Sequence, residues 1–309
     1  MIRIGIDLGG TKTEIIALGP AGETLLRRRE ATPVDDYTAT LSLVMRLVRE
    51  AEAELGAGVS VGMGTPGSLS PATGLVRNSN STCLNGRAFG QDLERALGRT
   101  IRVANDADCF ALSEALDGAA RGAGTVFGVI LGTGVGGGIV VNGRVLSGPN
   151  AIAGEWGHNP LPWPRDDERP GPACYCGRLG CIETFLSGPG LALDHERATG
   201  ERLQPEEIGS RARSGEGNAP ATLQRYEERL ARALATVINV IDPEVIVLGG
   251  GMSNVESLYD RVPPLLQRWI FSDVVRTKLV RNAHGDSSGV RGAAMLWTPQ
   301  AAACLQQAI

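Results

Sequence analysis

A strand, a glycine-rich turn and a second strand follow one another at two places in this chain of 309 residues. The first copy spans residues 3–18 with its turn at 7–13, and the second spans residues 125–141 with its turn at 132–138. A dinucleotide-binding fold would place a helix directly after its glycines, and a P-loop would carry the pattern G-x-x-x-x-G-K-[ST], so neither site is expected here. The repeat instead predicts an internal duplication, in which two similar lobes face each other across a cleft.

Helical and strand patterns alternate through the rest of the sequence. Apolar residues recur at three- and four-residue steps over 35–56 and again over 223–241, as on one face of an amphipathic helix. Short apolar runs at 59–64, 101–104 and 245–248 are typical of strands. This alternation predicts an α/β fold.

A segment rich in glycine and alanine, residues 117–124, separates the two copies of the repeat. Glycine-rich, polar segments are common at the boundaries between domains. We therefore expect a first domain over residues 1–118 and a second domain over residues 119–289.

Charge and hydropathy exclude several classes of protein. The formal net charge is −4, the pI is near 5.6, and 42% of the residues are hydrophobic. The acidic balance gives no general attraction to nucleic acid or to anionic membranes, and no apolar run approaches the roughly 20 residues needed to cross a bilayer. The first strand pattern starts at the N-terminus, with no secretory leader before it, so we expect a globular cytoplasmic protein.

One histidine and three cysteines in the middle of the chain have the spacing of a zinc site. They lie in the sequences G-E-W-G-H and C-Y-C-G-R-L-G-C-I-E, as His158, Cys174, Cys176 and Cys181. Three thiolates and an imidazole complete a tetrahedral zinc shell. The cysteines could also be core residues or form a disulfide, although a disulfide is disfavoured in a cytoplasmic chain. Glu155 and Glu183 flank these residues and are acceptors suited to a polyhydroxylated substrate.

Three glycine-rich turns, each directly after a strand pattern, suit the binding of phosphate. They lie at 7–13, 132–138 and 249–251. Without Cβ atoms in the way, the backbone N–H groups of such turns can cradle phosphate oxygens. Any one turn could be a plain hairpin or a helix entry. Together with Asp7 and the threonine hydroxyls of the first two turns, they indicate a triphosphate whose divalent ion is held between the lobes.

A second acidic position, Asp106, follows the strand pattern at 101–104 and precedes a helical pattern. It is therefore expected at the carboxyl edge of a sheet, where ligands of α/β proteins bind. Phosphoryl transfer requires a group that takes the proton of the acceptor hydroxyl, and Asp106 is the candidate for this general base. The alternative role for Asp106 is a helix N-cap. Asp108, in the same turn, is a second candidate for the base.

These motifs together resemble the ROK group of sugar kinases (repressors, open reading frames, kinases) within the actin-like ATPase superfamily. The resemblance covers nearly the whole chain. It is carried by D-L-G-G-T-K-T from Asp7, N-D-A from Asn105, L-G-T-G-V-G-G-G from Leu131, G-E-W-G-H from Gly154 and the cysteine frame that ends at Glu183.

The resemblance implies two actin-like (ribonuclease H-like) domains with an interdomain cleft and a zinc-stabilised loop. A C-terminal helix at about residues 290–309 would pack back on the first domain. The implied activity is the transfer of a phosphoryl group from ATP, with Mg²⁺, to the 6-hydroxyl of a hexose. A homodimer with structural Zn²⁺ and no nucleic-acid or membrane partner is implied as well.

The resemblance also assigns roles to individual residues. Asp106 would be the general base. ATP and its phosphates would contact Asp7, Gly9, Gly10, Thr11, Lys12, Thr13, Gly132, Thr133, Gly134, Gly136, Gly249, Gly250 and Gly251. The sugar would be held by Gly67, Asn80, Asn105, Asp106, Glu155, His158 and Glu183. His158 would give one ring nitrogen to zinc, beside Cys174, Cys176 and Cys181, and offer the other to the sugar.

Within the group, residues 78–86 and 154–163 are most similar to bacterial fructokinases. D-fructose is therefore the expected substrate. The alternatives are an N-acetylglucosamine kinase, a glucokinase or a mannokinase of the same family. A sugar-responsive transcriptional repressor is an alternative of another class, which is disfavoured because Asp7 arrives before a DNA-binding segment could fit.

Two further segments are expected to be solvated. Residues 163–170 are polar and bounded by proline, which is typical of a mobile surface loop. His195 lies in a charged helical stretch, so its ring is expected to face water.

Overall fold

The computed structural model describes residues 2–56 and 59–297 of the chain. The strands are β1 (Arg3–Leu8), β2 (Lys12–Leu18), β3 (Thr24–Ala31), β4 (Ser60–Thr65), β5 (Ser68–Leu69), β6 (Val76–Arg77), β7 (Arg102–Asn105), β8 (Thr125–Leu131), β9 (Val135–Val141), β10 (Arg144–Val145), β11 (Val245–Gly249) and β12 (Lys278–Arg281). The helices are α1 (Tyr37–Leu55), α2 (Phe89–Leu97), α3 (Asp106–Leu116), α4 (Glu183–Leu186), α5 (Gly188–Thr199), α6 (Pro205–Ser214), α7 (Ala219–Ile241), α8 (Ser257–Leu266) and α9 (Ser288–Met295). Within the described ranges, no helix is both long and apolar enough to span a bilayer.

The first five-stranded sheet has the order β3-β2-β1-β4-β7. Strand β1 is antiparallel to β2 and parallel to β4, which is in turn parallel to β7. The central strand carries Ile4, Ile6 and Leu8, all of which are buried. Parallel strands covered on both faces have such nearly continuous apolar sequences. The sheet therefore brings the carboxyl ends of β1, β4 and β7 to one edge, from which Asp7 and Asn105 emerge.

The second five-stranded sheet has the order β10-β9-β8-β11-β12, with β8, β11 and β12 parallel. The two sheets have the same topology. In each, three consecutive strands lie in reverse order (β3-β2-β1 and β10-β9-β8), and two strands from later in the chain lie next to the last of these (β4-β7 beside β1 and β11-β12 beside β8). The α/β fold with two actin-like sheets is confirmed by this repeated topology.

The chain forms two compact units. One contains residues of Met1–Arg121, Gly138–Ala153 and Asp286–Ile309, and the other contains Gly122–Gly137 and Gly154–Gly285. The division falls inside β9. The predicted domain limits at residues 118 and 289 stay a prediction.

Helix α9 packs against α3, β1 and β4 of the first unit at very short backbone distance. A Cβ on Gly292 would lie 1.7 Å from the carbonyl oxygen of Cys109, and one on Gly5 would lie 2.1 Å from that of Val290. Glycine is therefore required at both contacts. The predicted C-terminal helix begins two residues earlier than expected, at Ser288, and residues 298–309 lie outside the described part of the chain.

The prediction of solvated charges at 163–170 is wrong for Glu168, which is buried. Its carboxylate accepts hydrogen bonds from Arg229 Nε at 2.8 Å and Arg232 Nη2 at 2.7 Å, both on α7. Burial alone would raise the pKa of Glu168, but hydrogen bonds from Arg232 and Arg229 lower it to about 2. Two guanidinium groups thus compensate the burial of this loop carboxylate.

The prediction that His195 faces water is also wrong. The ring is 1% exposed, and its Nδ1 lies 2.9 Å from the hydroxyl of Thr222 on α7. The charged neighbours Asp194, Glu196 and Arg197 are more exposed than His195, so the ring occupies the packed face of α5. The charged residues beside His195 in the sequence gave no indication that one face of α5 is buried.

Candidate active site

The first glycine-rich turn is held tightly at the end of β1. Gly9 N donates to the carbonyl of Lys12 at 3.0 Å, and the hydroxyl of Thr32 donates to the carbonyl of Gly9 at 2.8 Å. Thr13 is buried with its hydroxyl 2.8 Å from that of Thr32, so it supports the turn from within the sheet. Gly10 and Thr11 remain exposed at the tip, where a phosphate could reach them.

Asp7 lies beside this turn, in a mostly acidic environment. Burial, with smaller contributions from the carboxylates of Asp106 and Glu14, raises the pKa of Asp7 to about 7. The structure therefore brings the two predicted acidic residues of the active site, Asp7 and Asp106, close together. A Cβ on Gly289 would lie 2.9 Å from Asp7 Oδ2, so only glycine leaves room for this carboxylate at the start of α9.

The cations near the turn are held by other carboxylates. Arg29 Nε donates to Glu14 at 2.7 Å. Lys12 Nζ lies 3.5 Å from Asp286, and Arg29 is 4.0 Å from the same carboxylate. Lys12 thus lies in the glycine-rich turn and forms an exposed ion pair with Asp286.

The N-cap of α3 is Asn105, not Asp106. Asn105 Oδ1 accepts from the backbone N–H of Ala107 at 2.8 Å, and its Nδ2 donates to the carbonyl of Gly67 at 2.8 Å. Asp106 is the first residue of the helix, and its Oδ1 shares the same N–H of Ala107 at 2.8 Å. Since a neighbour provides the cap, the alternative role for Asp106 is not required, and its carboxylate is held at the helix N-terminus, where negative charge is stabilised.

Gly67 and Asn80 lie on the loops beside Asn105. Gly67 has φ of +78°, and a Cβ there would lie 2.4 Å from the carbonyl of Arg77. Asn85, which the sequence did not single out, binds the backbone of Ser79 through both its Oδ1 and its Nδ2 at 2.9 Å. Asn85 thereby fixes the segment that presents the exposed Asn80.

The second and third glycine-rich turns lie together in the other unit. Gly132 N donates to Gly134 O at 3.0 Å, and a Cβ on Gly250 would lie 2.5 Å from the carbonyl of Leu131. Beside them is a cavity of about 850 Å³. Its lining includes Gly132, Thr133 and Gly251 as well as the apolar Leu203, Met252 and Val255. Such a cavity, lined by glycine-rich backbone, by apolar side chains and by charged side chains such as Arg202 and Arg213, suits a nucleotide.

Glu183 connects the second turn with the cysteine frame. Its Oε2 accepts from the backbone N–H of Val135 at 2.9 Å, and a Cβ on Gly134 would lie 2.7 Å from the same oxygen. Its Oε1 lies 3.9 Å from Cys174 Sγ. Trp156, next to the partly buried Glu155, donates from its indole to the carbonyl of Gly136 at 3.0 Å. Both predicted sugar-binding glutamates are thus positioned by the segment that carries the second turn.

The four predicted metal ligands lie together. The ligand atoms of His158, Cys174, Cys176 and Cys181 are all within 4.8 Å of one another. Cys174 Sγ is 3.5 Å from His158 Nδ1, and Cys176 Sγ is 3.6 Å from Cys181 Sγ. A disulfide would require about 2 Å between sulfurs, whereas ligands of one tetrahedral zinc stand nearly 4 Å apart, as they do here.

The thiols of this cluster differ in their ease of ionisation. A backbone N–H at Arg178 lowers the pKa of Cys176 to about 7, whereas burial raises the pKa of Cys181 to about 12. Cys176 therefore ionises more readily than Cys181, and a bound cation would favour the thiolate form of all three cysteines. The group can hold a metal ion of the zinc type.

Tyr175, which the sequence reasoning did not consider, also contacts this cluster. It stands between two of the metal-ligand positions, with its hydroxyl 2.9 Å from His158 Nε2. Its only signal in the sequence is its place inside the frame C-Y-C.

A model of the ROK family matches residues 3–300 of the chain. The chain belongs to the ROK family. An N-acetyl-D-glucosamine kinase of Vibrio cholerae serotype O1 is 41% identical over 296 residues, which cover 94% of this ROK chain and 98% of that protein. The crystal structure of a ROK hexokinase from Thermus thermophilus has a TM-score of 0.84 at 30% identity, covering 100% of this chain and 99% of that one.

A ROK glucokinase from Streptomyces griseus, solved in complex with glucose and AMPPNP, has a TM-score of 0.78 at 26% identity and covers 96% of this chain and 99% of that chain. The predicted resemblance to ROK sugar kinases is confirmed by the family match. The narrower likeness to fructokinases finds no support in the V. cholerae relative, whose name is one of the alternatives stated above.

Proposed function

We propose that this ROK protein is an ATP-dependent kinase that phosphorylates the 6-hydroxyl of N-acetyl-D-glucosamine. The observation that carries the kinase assignment is the proximity of Asp7 and Asp106 at the carboxyl edge of the first sheet, beside a glycine-rich turn. The choice of sugar is supported by the 41% identity to the V. cholerae N-acetyl-D-glucosamine kinase over nearly the full length of both proteins. Fructose, the expected substrate, becomes the alternative.

Asp106 is the proposed general base. Its carboxylate would accept the proton of the sugar 6-hydroxyl while that oxygen bonds to the γ-phosphorus and the bond to the β-phosphate oxygen breaks, releasing ADP. The side-chain amide of Asn105 is held by its hydrogen bonds to the backbone of Ala107 and Gly67. It would form hydrogen bonds with the sugar hydroxyls beside it. The rest of the sugar would be held by Gly67, Asn80, Glu155, His158 and Glu183.

The nucleotide would occupy the glycine-rich turns. Gly9 and Gly132 donate their N–H groups within the turns and shape them, while the backbone N–H groups of Gly10, Thr11, Thr133 and Gly134, with the side chain of Lys12, would bind phosphate oxygens. Gly249–Gly251 would lie near the nucleoside. Asp7 suits a Mg²⁺ ion because a carboxylate crowded by Asp106 and Glu14 is stabilised by a nearby cation. When bound, Mg²⁺ would neutralise phosphate charge.

The four-residue cluster is proposed as a structural zinc site. Its donor set of three sulfurs and one nitrogen is that of structural zinc, and zinc would hold the segments at 158 and 174–181 together. A homodimer is also proposed, as the family resemblance implies, and the cytoplasmic location expected from the sequence stays a proposal.

A coupled assay of ATP turnover across N-acetylglucosamine, glucose, mannose and fructose tests the function. We expect kcat/KM for N-acetylglucosamine to exceed that for each other sugar by about tenfold or more, since a site built to hydrogen-bond one group discriminates against sugars that lack it. Equal or better use of fructose would contradict the sugar assignment. Absence of turnover with every sugar would contradict the kinase assignment itself.

A further inference from the structure

Tyr175 has an unusual position for an exposed aromatic residue. The residue is 76% exposed, although it lies between two proposed metal ligands, Cys174 and Cys176. Its ring meets that of His158 edge-on, with ring centroids 5.0 Å apart and an interplanar angle of 87°. Its hydroxyl lies 2.9 Å from His158 Nε2. The second nitrogen of His158, which the family resemblance assigns to the sugar, has a partner in this chain, so His158 would support the sugar through this partner and not by a contact of its own.

The direction of this hydrogen bond follows from the other ring nitrogen. His158 Nδ1 faces Cys174 Sγ at 3.5 Å and belongs to the cluster that can hold a cation. A neutral imidazole that gives the lone pair of one nitrogen to a metal carries its proton on the other. His158 Nε2–H would then donate to the oxygen of Tyr175. The hydroxyl hydrogen of Tyr175 would remain available to donate to a ligand.

The Tyr175 hydroxyl also lies near the two glutamates proposed for sugar binding. Glu183 Oε1 lies 3.9 Å from the Sγ of Cys174, the residue next to Tyr175, and the carboxylates of Glu183 and Glu155 both act electrostatically on the Tyr175 hydroxyl. These carboxylates can only accept hydrogen bonds when ionised, and the sugar hydroxyls can supply the donors. Tyr175 is therefore the neutral donor within a group that otherwise consists of acceptors.

We propose that Tyr175 contacts the sugar directly and selects for the 2-acetamido group, by donating its hydroxyl hydrogen to the acetamido carbonyl oxygen. This inference rests on the proposed function. A carbonyl oxygen accepts hydrogen bonds and cannot donate, so it matches a phenol and would be repelled by a carboxylate at the same place. Glucose has a hydroxyl there, which either glutamate could bind equally well.

The test is the variant Tyr175→Phe, which keeps the ring and removes only the hydroxyl. Binding of N-acetylglucosamine and of glucose is measured by isothermal titration calorimetry without nucleotide, and zinc per chain is measured by elemental analysis. We expect the affinity for N-acetylglucosamine to fall about 3- to 10-fold, the range for one lost hydrogen bond, while glucose affinity changes less than about twofold. Tyr37→Phe, which removes a hydroxyl bonded to Asp92 in the first unit, is the matched control.

The outcomes separate this inference from the proposed function. Unchanged affinity for N-acetylglucosamine in Tyr175→Phe would overturn the role of Tyr175 and leave the kinase assignment intact. An equal loss for both sugars, accompanied by loss of metal, would overturn it as well, because it would show that the hydroxyl only supports His158. A wild-type protein that binds and phosphorylates no hexose would instead overturn the proposed function.

Discussion

At the scale of single residues, the proposed chemistry depends on two carboxylates whose surroundings differ. Burial, with smaller contributions from the carboxylates of Asp106 and Glu14, raises the pKa of Asp7 to about 7. Asp106 is the first residue of α3, at the helix N-terminus, where the helix dipole stabilises negative charge. Two neighbouring carboxylates in different environments suit different roles, one as a metal-binding acid and the other as a base.

The raised pKa of Asp7 predicts a pH-dependent stability. In the unfolded chain an aspartate ionises near pH 4, so between about pH 4 and 7 only the folded state keeps the proton, and stability falls as the pH rises through this window. The variant Asp7→Asn has no carboxyl group at this position, so it should not show this pH-dependent loss of stability. Without divalent ions, we expect the variant to be more stable than the wild type by about 2 to 4 kcal/mol at pH 8, with a much smaller difference at pH 4.5.

Thermal unfolding of both proteins in chelator across this pH range checks the prediction. The gap in Tm should widen up to pH 7 and then stay constant. A gap that is the same at every pH would show that Asp7 is not the group that titrates.

For Asp106→Asn we expect kcat to fall by about 100-fold or more, the usual effect of losing a general base, while sugar affinity changes little. Asp108→Asn is the matched variant, because the sequence alone could not choose between these two acids. Steady-state kinetics on both variants decide the assignment. A large loss of kcat in Asp108→Asn with near-normal turnover in Asp106→Asn would reverse it.

At the scale of elements, the sequence predicted best the features that are local in the chain. The turn after β1, the amphipathic helix α1 and the cysteine frame depend on residues close in sequence, so spacing and hydrophobic pattern reveal them. Glu168, His195 and Tyr175 were misjudged or missed because their partners are distant. Arg232 reaches Glu168 from α7, and Thr222 reaches His195 from the same helix. No pattern within 163–170 or around residue 195 encodes those contacts.

The glycines between α9 and its neighbours lead to a prediction about stability. Gly292→Ala would place a methyl group 1.7 Å from the carbonyl oxygen of Cys109, so α9 or α3 must shift. We expect a loss of about 3 kcal/mol in the free energy of unfolding, measured by denaturant titration. Gly209→Ala in α6, where the new Cβ would be 3.7 Å from a methyl of Val255, is the control and should be neutral or slightly stabilising. Equal changes in the free energy of unfolding in both variants would mean that α9 can shift away from Cys109 without a loss of stability.

At the scale of the whole molecule, the metal cluster joins segments that are otherwise connected by few regular elements. His158 ends a short 3₁₀ helix (Trp156–His158), and the cysteines lie in turns linked by single bridges between Pro160 and Cys181 and between Ala173 and Leu179. A bound metal would therefore supply much of the order in this region, and metal binding would be coupled to its folding. Glu183 extends the effect to the second glycine-rich turn through Val135.

For this reason we expect about one zinc per chain in the wild type, measured by elemental analysis, and a lower content in Cys176→Ser. The variant should unfold at lower temperature and bind sugar more weakly, because His158 and Tyr175 would lose their fixed geometry. A strong chelator should lower the Tm of the wild type toward that of Cys176→Ser and leave the variant unchanged. Cys83→Ser, which removes a half-exposed thiol outside the cluster, is the control and should keep both zinc and sugar affinity. A metal-free wild-type protein with full sugar affinity would contradict the structural role of the cluster, since the order of this region would then not depend on a bound ion.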